Sequence, residues 1–157
     1  MESAEIDAFQ CDLTCPENIK NVFERYGKGG IWGVVHIAVS IIFMRVGTVP
    51  NNFFFQAYKA VGESVEIPLT YYANNVAATA SLLQIMSDFD CTRIVYSSSA
   101  TVYGTPPVIP IPETTRLKAD SPYGKTKVMA EMIIDDLCHG KRSSLYLGPD
   151  LTKNAFS

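Results

Sequence analysis

The sequence has no excess of positive charge: 13 lysines and arginines stand against 16 aspartates and glutamates, a net charge of −3. That balance builds no basic field able to hold a phosphate backbone, so no nucleic-acid partner is expected. Long apolar runs are also missing. The longest, Ile31 to Met44, is interrupted by His36 and Ser40 and falls short of the ~20 residues a spanning helix needs, so no membrane association is expected. Cys11, Cys15, Cys91 and Cys138 never form a C-x-x-C pair, and the opening MESAEIDAF lacks the basic-then-apolar order of a secretory signal. Both absences point to a reducing, cytoplasmic compartment. No repeat with a period of about 20 to 50 residues and no low-complexity tract occurs.

What is present suffices for one domain: 157 residues, 47% of them apolar. Ile6 to Cys11 alternates loosely, as a strand does. Thr14 and Glu17 then have the capping-box spacing, which predicts a helix carrying Ile19, Val22, Phe23 and Tyr26 on one face and stopped by Gly27 to Gly30. Trp32 to Ala38 is almost continuously apolar, the pattern of a strand covered on both faces. A long helix is expected from Pro68 to Met86, with Val76, Ala80 and Leu83 on its apolar side, followed by a strand at Arg93 to Ser97. After the proline-rich loop Pro106 to Pro112, Ser121-Pro122 has the form of an N-cap with proline at the first helical position. Met129, Ile133 and Leu137 recur along the helix it opens. Alternating strands and helices predict a parallel sheet with helices on both faces.

Two groups of residues carry chemistry. Tyr123 and Lys127 are four apart on the last helix and therefore share a face. A phenol with a reference pKa of ~10 is a poor base near neutrality, and a neighbouring ammonium would lower it, so the pair can take a proton from an alcohol. Ser97-Ser98-Ser99-Ala100-Thr101 follows a predicted strand, where open parallel sheets place their ligands. Other polar residues read more simply: His36 as a hydrogen-bonded core residue, Asp135-Asp136 as a solvated helix face, and Cys138-His139 as a helix end without metal-ligand spacing.

Four ordered blocks, Lys59 to Ser64, Tyr71 to Val76, Ser97 to Gly104 and Ser121 to Lys127, resemble the extended short-chain dehydrogenase/reductases, and within them the UDP-glucose 4-epimerases. The resemblance implies an α/β fold, a partial Rossmann-like, doubly wound parallel sheet. It implies NAD as cofactor and a UDP-sugar as substrate, with a homodimer for the full-length parent. Tyr123 would be the catalytic tyrosine, Lys127 the lysine that lowers its pKa and binds the nicotinamide ribose, and Ser99 the hydroxyl that orients the sugar 4-OH. Asp12 and Leu13 would meet the adenine end of NAD, while Ile37, Ala38, Ala57, Tyr58, Lys59 and Asn74 would line the cofactor. Sugar-nucleotide 4,6-dehydratases carry an Asp-Glu pair where this chain has Ser99-Ala100-Thr101, so elimination of water is not implied.

The chain departs from that pattern in three ways. It carries neither G-x-x-G-x-x-G nor G-x-G-x-x-G, so the family's first βαβ unit is lacking, and so is its C-terminal substrate domain. Residues 1–140 thus read as a partial NAD-binding domain and 141–157 as a divergent tail. Val39 to Gln56 interrupts a stretch that is otherwise continuous with the family. Its 18 residues correspond to 54 nucleotides, with Val39-Ser40 encodable as GTAAGT and Gln56 as CAG, the ends of an intron. A translated intron is the favoured reading of this insertion and a surface loop the alternative. Either way it is expected to add no strand to the sheet. Lacking a pyrophosphate cradle and a UDP grip, the chain alone is expected to be inactive as an epimerase. A non-catalytic fragment, or another NAD-dependent sugar-nucleotide epimerase, dehydratase or reductase, is the competing reading.

Overall fold

The computed structural model describes residues 12–37, 40–45, 51–53, 60–140 and 146–147. The chain enters through helix α1 (Pro16–Tyr26), whose Ile19, Val22 and Phe23 are buried as their spacing predicts. The expected capping box does not form. Cys15 is the N-cap without a side-chain bond, and Asp12 Oδ1 instead accepts from the Thr14 amide and hydroxyl at 2.9 and 2.7 Å. Asp12 folds a tight turn around Thr14, so the amide and hydroxyl the box would use are already taken, and the helix starts one residue later with Pro16 at its first position. Gly27 ends the helix with φ 72°, and the chain turns into strand β1 (Ile31–Ile37).

The sheet has five strands in the order β3-β2-β1-β4-β5. Strands β1, β4 (Arg93–Tyr96) and β5 (Tyr146–Leu147) are parallel. On its other flank β1 pairs antiparallel with β2 (Ser40–Arg45), which pairs antiparallel with β3 (Asn51–Phe53). The expectation that Val39 to Gln56 adds no strand is therefore corrected. Flank matching made the segment look superfluous to the parallel core, yet β1 has a second edge whose amides and carbonyls need partners. A hairpin of apolar, β-branched and aromatic residues supplies them.

Between β3 and β4 the chain runs through α2 (Val61–Glu66), α3 (Pro68–Tyr71), a π-helical segment (Tyr72–Ala77) and α4 (Ala78–Asp88). The expected long helix exists, but the wider π turn shifts its phase. Leu83 is buried while Ala80 faces solvent, and Tyr71, Asn75, Ala78, Thr79 and Leu82 form the inward face. After β4 come a 3-10 turn (Ala100–Tyr103), a long loop and α5 (Pro122–Gly140). Ser121 Oγ accepts from the Gly124 amide at 3.1 Å, the expected cap.

The core lies between β1 and β4 and helices α1, α4 and α5, with Phe23, Val34, Leu82, Met86, Ile94, Ala130 and Ile134 among its buried residues. Val34 and Ile94 are cross-strand partners on this face, whereas Val35 and Val95, on the opposite face, are only half-buried. Among the described residues the helices thus cover one side of the sheet. The inward face of α5 also differs from the expected one: Met129 is exposed, and the buried positions are Tyr123, Thr126, Lys127, Ala130 and Ile134. Ile133 and Leu137 pack half-buried against the core as expected, but two of the buried positions are polar and one is alanine, so an apolar count along the helix finds only the edge of this face.

Candidate active site

The connection from β4 to α5 opens with Ser97, Ser98 and Ser99. Ser99 caps the 3-10 turn, its Oγ accepting from the Thr101 amide at 3.3 Å and from the Thr101 hydroxyl at 2.9 Å. Gly104 closes the turn at φ 62°, where a Cβ would strike the Lys118 carbonyl. The returning loop is pinned there by the Lys118 amide on the Val102 carbonyl and the Thr105 amide on Asp120 Oδ2. Gly124 permits the next contact, since a Cβ on it would lie 2.7 Å from the Thr101 carbonyl. The start of α5 therefore lies directly against the 3-10 turn.

That approach brings the Tyr123 side chain close enough to Ser99 for the serine to act on its hydroxyl. Tyr71 meets the Tyr123 ring edge-on at 6.4 Å and is itself fixed by donating to the Glu63 carboxylate at 2.6 Å. Asn75 of the π segment donates to Thr126 Oγ1, which donates to the Tyr123 carbonyl at 2.7 Å. π turns commonly mark functional positions, and this one places Asn74 on the pocket and Asn75 on α5. Local propensity gives no sign of it.

Lys127, one turn beyond Tyr123, is 2% exposed. Its ammonium donates to the Ser97 carbonyl at 3.0 Å and lies 4.7 Å from the centre of the Tyr96 ring and 6.0 Å from that of Tyr123. Burial lowers its pKa to about 8, with Glu131 acting in the opposite sense. Burial raises the Tyr123 pKa, and Ser99 is what opposes the rise.

A small pocket of about 30 Å³, enough for water, opens beside Lys127 and is lined by Asp12, Leu13, Thr14, His36, Asn74, Asn75, Tyr96 and Lys127. Of the expected cofactor residues, Asp12, Leu13, Asn74 and Lys127 thus meet at one place, while Ser99 and Tyr123 stand on the turn and helix beside it. Asp12, bonded to Thr14, has its carboxyl held below the usual range. Ile37 is the last residue of β1, paired with Ser40, and its side chain is not among those described. Ala38, Ala57, Tyr58 and Lys59 lie outside the described residues. His36, expected as a hydrogen-bonded core residue, is buried but lines this pocket, and among the described residues its Nδ1 has no hydrogen-bond partner beyond an approach to its own backbone. Its place at the end of β1 was the available signal.

Residues 49–147 match the family model described as GDP-mannose 4,6 dehydratase. The chain belongs to this family. It is 48% identical over 134 residues to a UDP-glucose 4-epimerase of Dictyostelium discoideum, covering 85% of this chain and 33% of that protein. With a UDP-glucose 4-epimerase of Bacillus subtilis the identity is 53% over 83 residues, 53% of this chain and 24% of the relative. The crystal structure of UDP-glucose 4-epimerase from Bifidobacterium longum in complex with NAD+ and UDP superposes with a TM-score of 0.69 and 34% identity, covering 87% of this chain and 35% of that one. The chain therefore has the Rossmann-like α/β fold of these extended short-chain dehydrogenase/reductases and spans about a third of the length of the relatives it matches.

Proposed function

We propose that this chain contributes the proton-transfer corner of an NAD-dependent UDP-glucose 4-epimerase. The observation that carries the reading is the approach of Tyr123 to Ser99, close enough for the serine to oppose the rise of the phenol pKa, with the buried Lys127 ammonium one helical turn away. Two hydroxyls meeting at a strand end can share one substrate oxygen, and a cation near them favours the phenolate that accepts its proton. In this role Ser99 orients the sugar 4-OH, Tyr123 takes and later returns its proton, and Lys127 supplies the charge. Asp12, His36, Asn74 and Lys127 line one small pocket, and their donors and acceptors are of the kind that bind ribose hydroxyls, which fits NAD. When bound, NAD supplies the hydride acceptor and donor at C4.

An epimerase is favoured over a dehydratase because Ser99-Ala100-Thr101 offers no carboxylate beside Tyr123 to drive loss of water. The same reading extends to a homodimeric parent and to the cytoplasm, the latter supported by the free thiols of Cys15 and Cys91. It also treats residues 39–56 as foreign to the catalytic domain, supported by the in-register flanks Ala38 and Ala57, with a translated intron as their origin. Sequencing the spliced transcript tests that point. A coupled assay of UDP-galactose and UDP-glucose interconversion tests the function. The protein encoded by the longest reading frame should turn over at ~1 to 10³ per second. This chain alone, without a glycine-rich cradle in its sequence, should not. A longer protein that binds NAD and UDP-glucose yet leaves the sugar unchanged would overturn the proposal.

A further inference from the structure

We propose that the stacked pair His36–Tyr96 is the positioning wall for Lys127, and that His36 serves in it as an uncharged ring. His36 and Tyr96 are direct partners in the parallel ladder of β1 and β4, so both side chains leave the same face of the sheet toward α5. Their rings lie 5.0 Å apart, tilted by 46°, and the Lys127 ammonium stands 4.7 Å from the Tyr96 centre, within cation–π range. The carbonyl that accepts from Lys127 belongs to Ser97, whose amide donates to the His36 carbonyl at 2.8 Å. The ammonium is thus placed by a peptide locked to β1 on one side and by a ring braced from behind by His36. That is more constraint than a flexible four-carbon stem supplies by itself.

The charge follows from the enclosure. Lys127 and His36 are 2% and 6% exposed, so an imidazolium there would set a second buried cation beside the ammonium. The groups facing Lys127 are His36 from β1, Tyr96 from β4, Tyr123 and Glu131 from α5, and Asp12 across the pocket. Burial and the Lys127 charge together lower the His36 pKa to about 4, so the ring stays neutral throughout the physiological range. His36 lines the pocket, and its Nδ1, with no partner among the described residues beyond its own backbone, is left to meet a hydroxyl or a water of an incoming ligand. The inference rests on the proposed function only in treating Lys127 as the working lysine.

The test is a pH titration of the histidine Cε1 resonance in the ligand-free 157-residue chain. The chain has two histidines, so His139→Gln leaves the His36 signal alone. The expected curve shows no protonation of His36 between pH 8 and 5 and a smaller step near pH 8 as Lys127 titrates. Lys127→Met should abolish that step and move the His36 midpoint upward. Tyr96→Leu, which removes the ring, should lower the Lys127 midpoint by roughly half a unit to one unit, and Tyr96→Phe, which keeps the ring, should restore it. A His36 midpoint near ~6.5, a curve unchanged by Lys127→Met, or equal curves for Tyr96→Leu and Tyr96→Phe would each overturn the proposal. These readouts need no turnover, so an inactive longer protein would sink the epimerase reading and leave them standing. Any of the three overturning results, with a longer protein that turns over, would do the reverse.

Discussion

Strand β1 has two flanks that differ in kind. Toward β4 the pairing is parallel, Val34, Val35 and His36 meeting Ile94, Val95 and Tyr96 in register, and the strand ends deliver Ser97 to Ser99 to the start of α5. Toward β2 the pairing is antiparallel, Val34 to Ile37 meeting Phe43 back to Ser40, with an irregularity between Ile31 and Gly33. The first flank depends on the identity of individual side chains, because a hydrogen bond, a buried cation and a stacked ring pair converge on it. The second is described by backbone pairing, which many β-prone segments can supply. The β2 flank is therefore expected to accept replacement of its side chains more readily than the site flank.

The comparison breaks first in the core beneath the site. Ile134 is fully buried on the inward face of α5, and Ile134→Ala should cost about 2 to 5 kcal/mol in urea unfolding. A loss under about 1 kcal/mol would show that α5 is not held by that face.

Acid should reveal the next difference. The folded pKa of His36, about 4, is below its unfolded value of 6.5, so the unfolded chain binds the extra proton first and stability falls as pH drops from 6.5 toward 4. Relative to His36→Phe, the wild type should lose roughly 3 kcal/mol across that window. Parallel stability curves for the two proteins would contradict the buried, neutral histidine.

Removing 39–56 and joining Ala38 to Ala57 should destabilise the fold less than Ile134→Ala does. The Ser97 amide, bonded to the His36 carbonyl, should keep its hydrogen-exchange protection. Loss of that protection would mean that the hairpin shapes the site. The smallest effect is expected at the exposed turn before α1. Asp12→Ala removes the carboxylate that holds Thr14 and should change stability by no more than ~0.5 kcal/mol. A larger change in the melting transition would show that the turn anchors α1.

Much of the parallel flank was legible in the sequence because its devices have fixed spacings: Ser121-Pro122 for the start of α5, Tyr123 and Lys127 on one face, and a serine run at a strand end. The inward face of α5 was not, since Thr126, Lys127 and Ala130 are buried where a hydropathy pattern expects larger apolar groups. Nor was the π turn at Tyr72–Ala77, which depends on docking to α5 through Asn75 and Thr126 rather than on local propensity. The hairpin was missed because matching its flanks says which residues are familiar and nothing about which backbone edges need partners. The cap at Thr14 failed for a local reason: Pro16 and the nearby Asp12 carboxylate offered a competing turn.

The central claim, that the β4–α5 corner moves a proton to and from a sugar hydroxyl, is tested most directly by Tyr123→Phe in the protein encoded by the longest reading frame. The ring and its edge contact with Tyr71 remain, and only the hydroxyl that Ser99 acts on is removed. The account predicts that kcat for UDP-galactose to UDP-glucose conversion falls by ~10²- to 10⁴-fold, with KM for the UDP-sugar within about twofold of wild type. A variant that retains the wild-type kcat would contradict it.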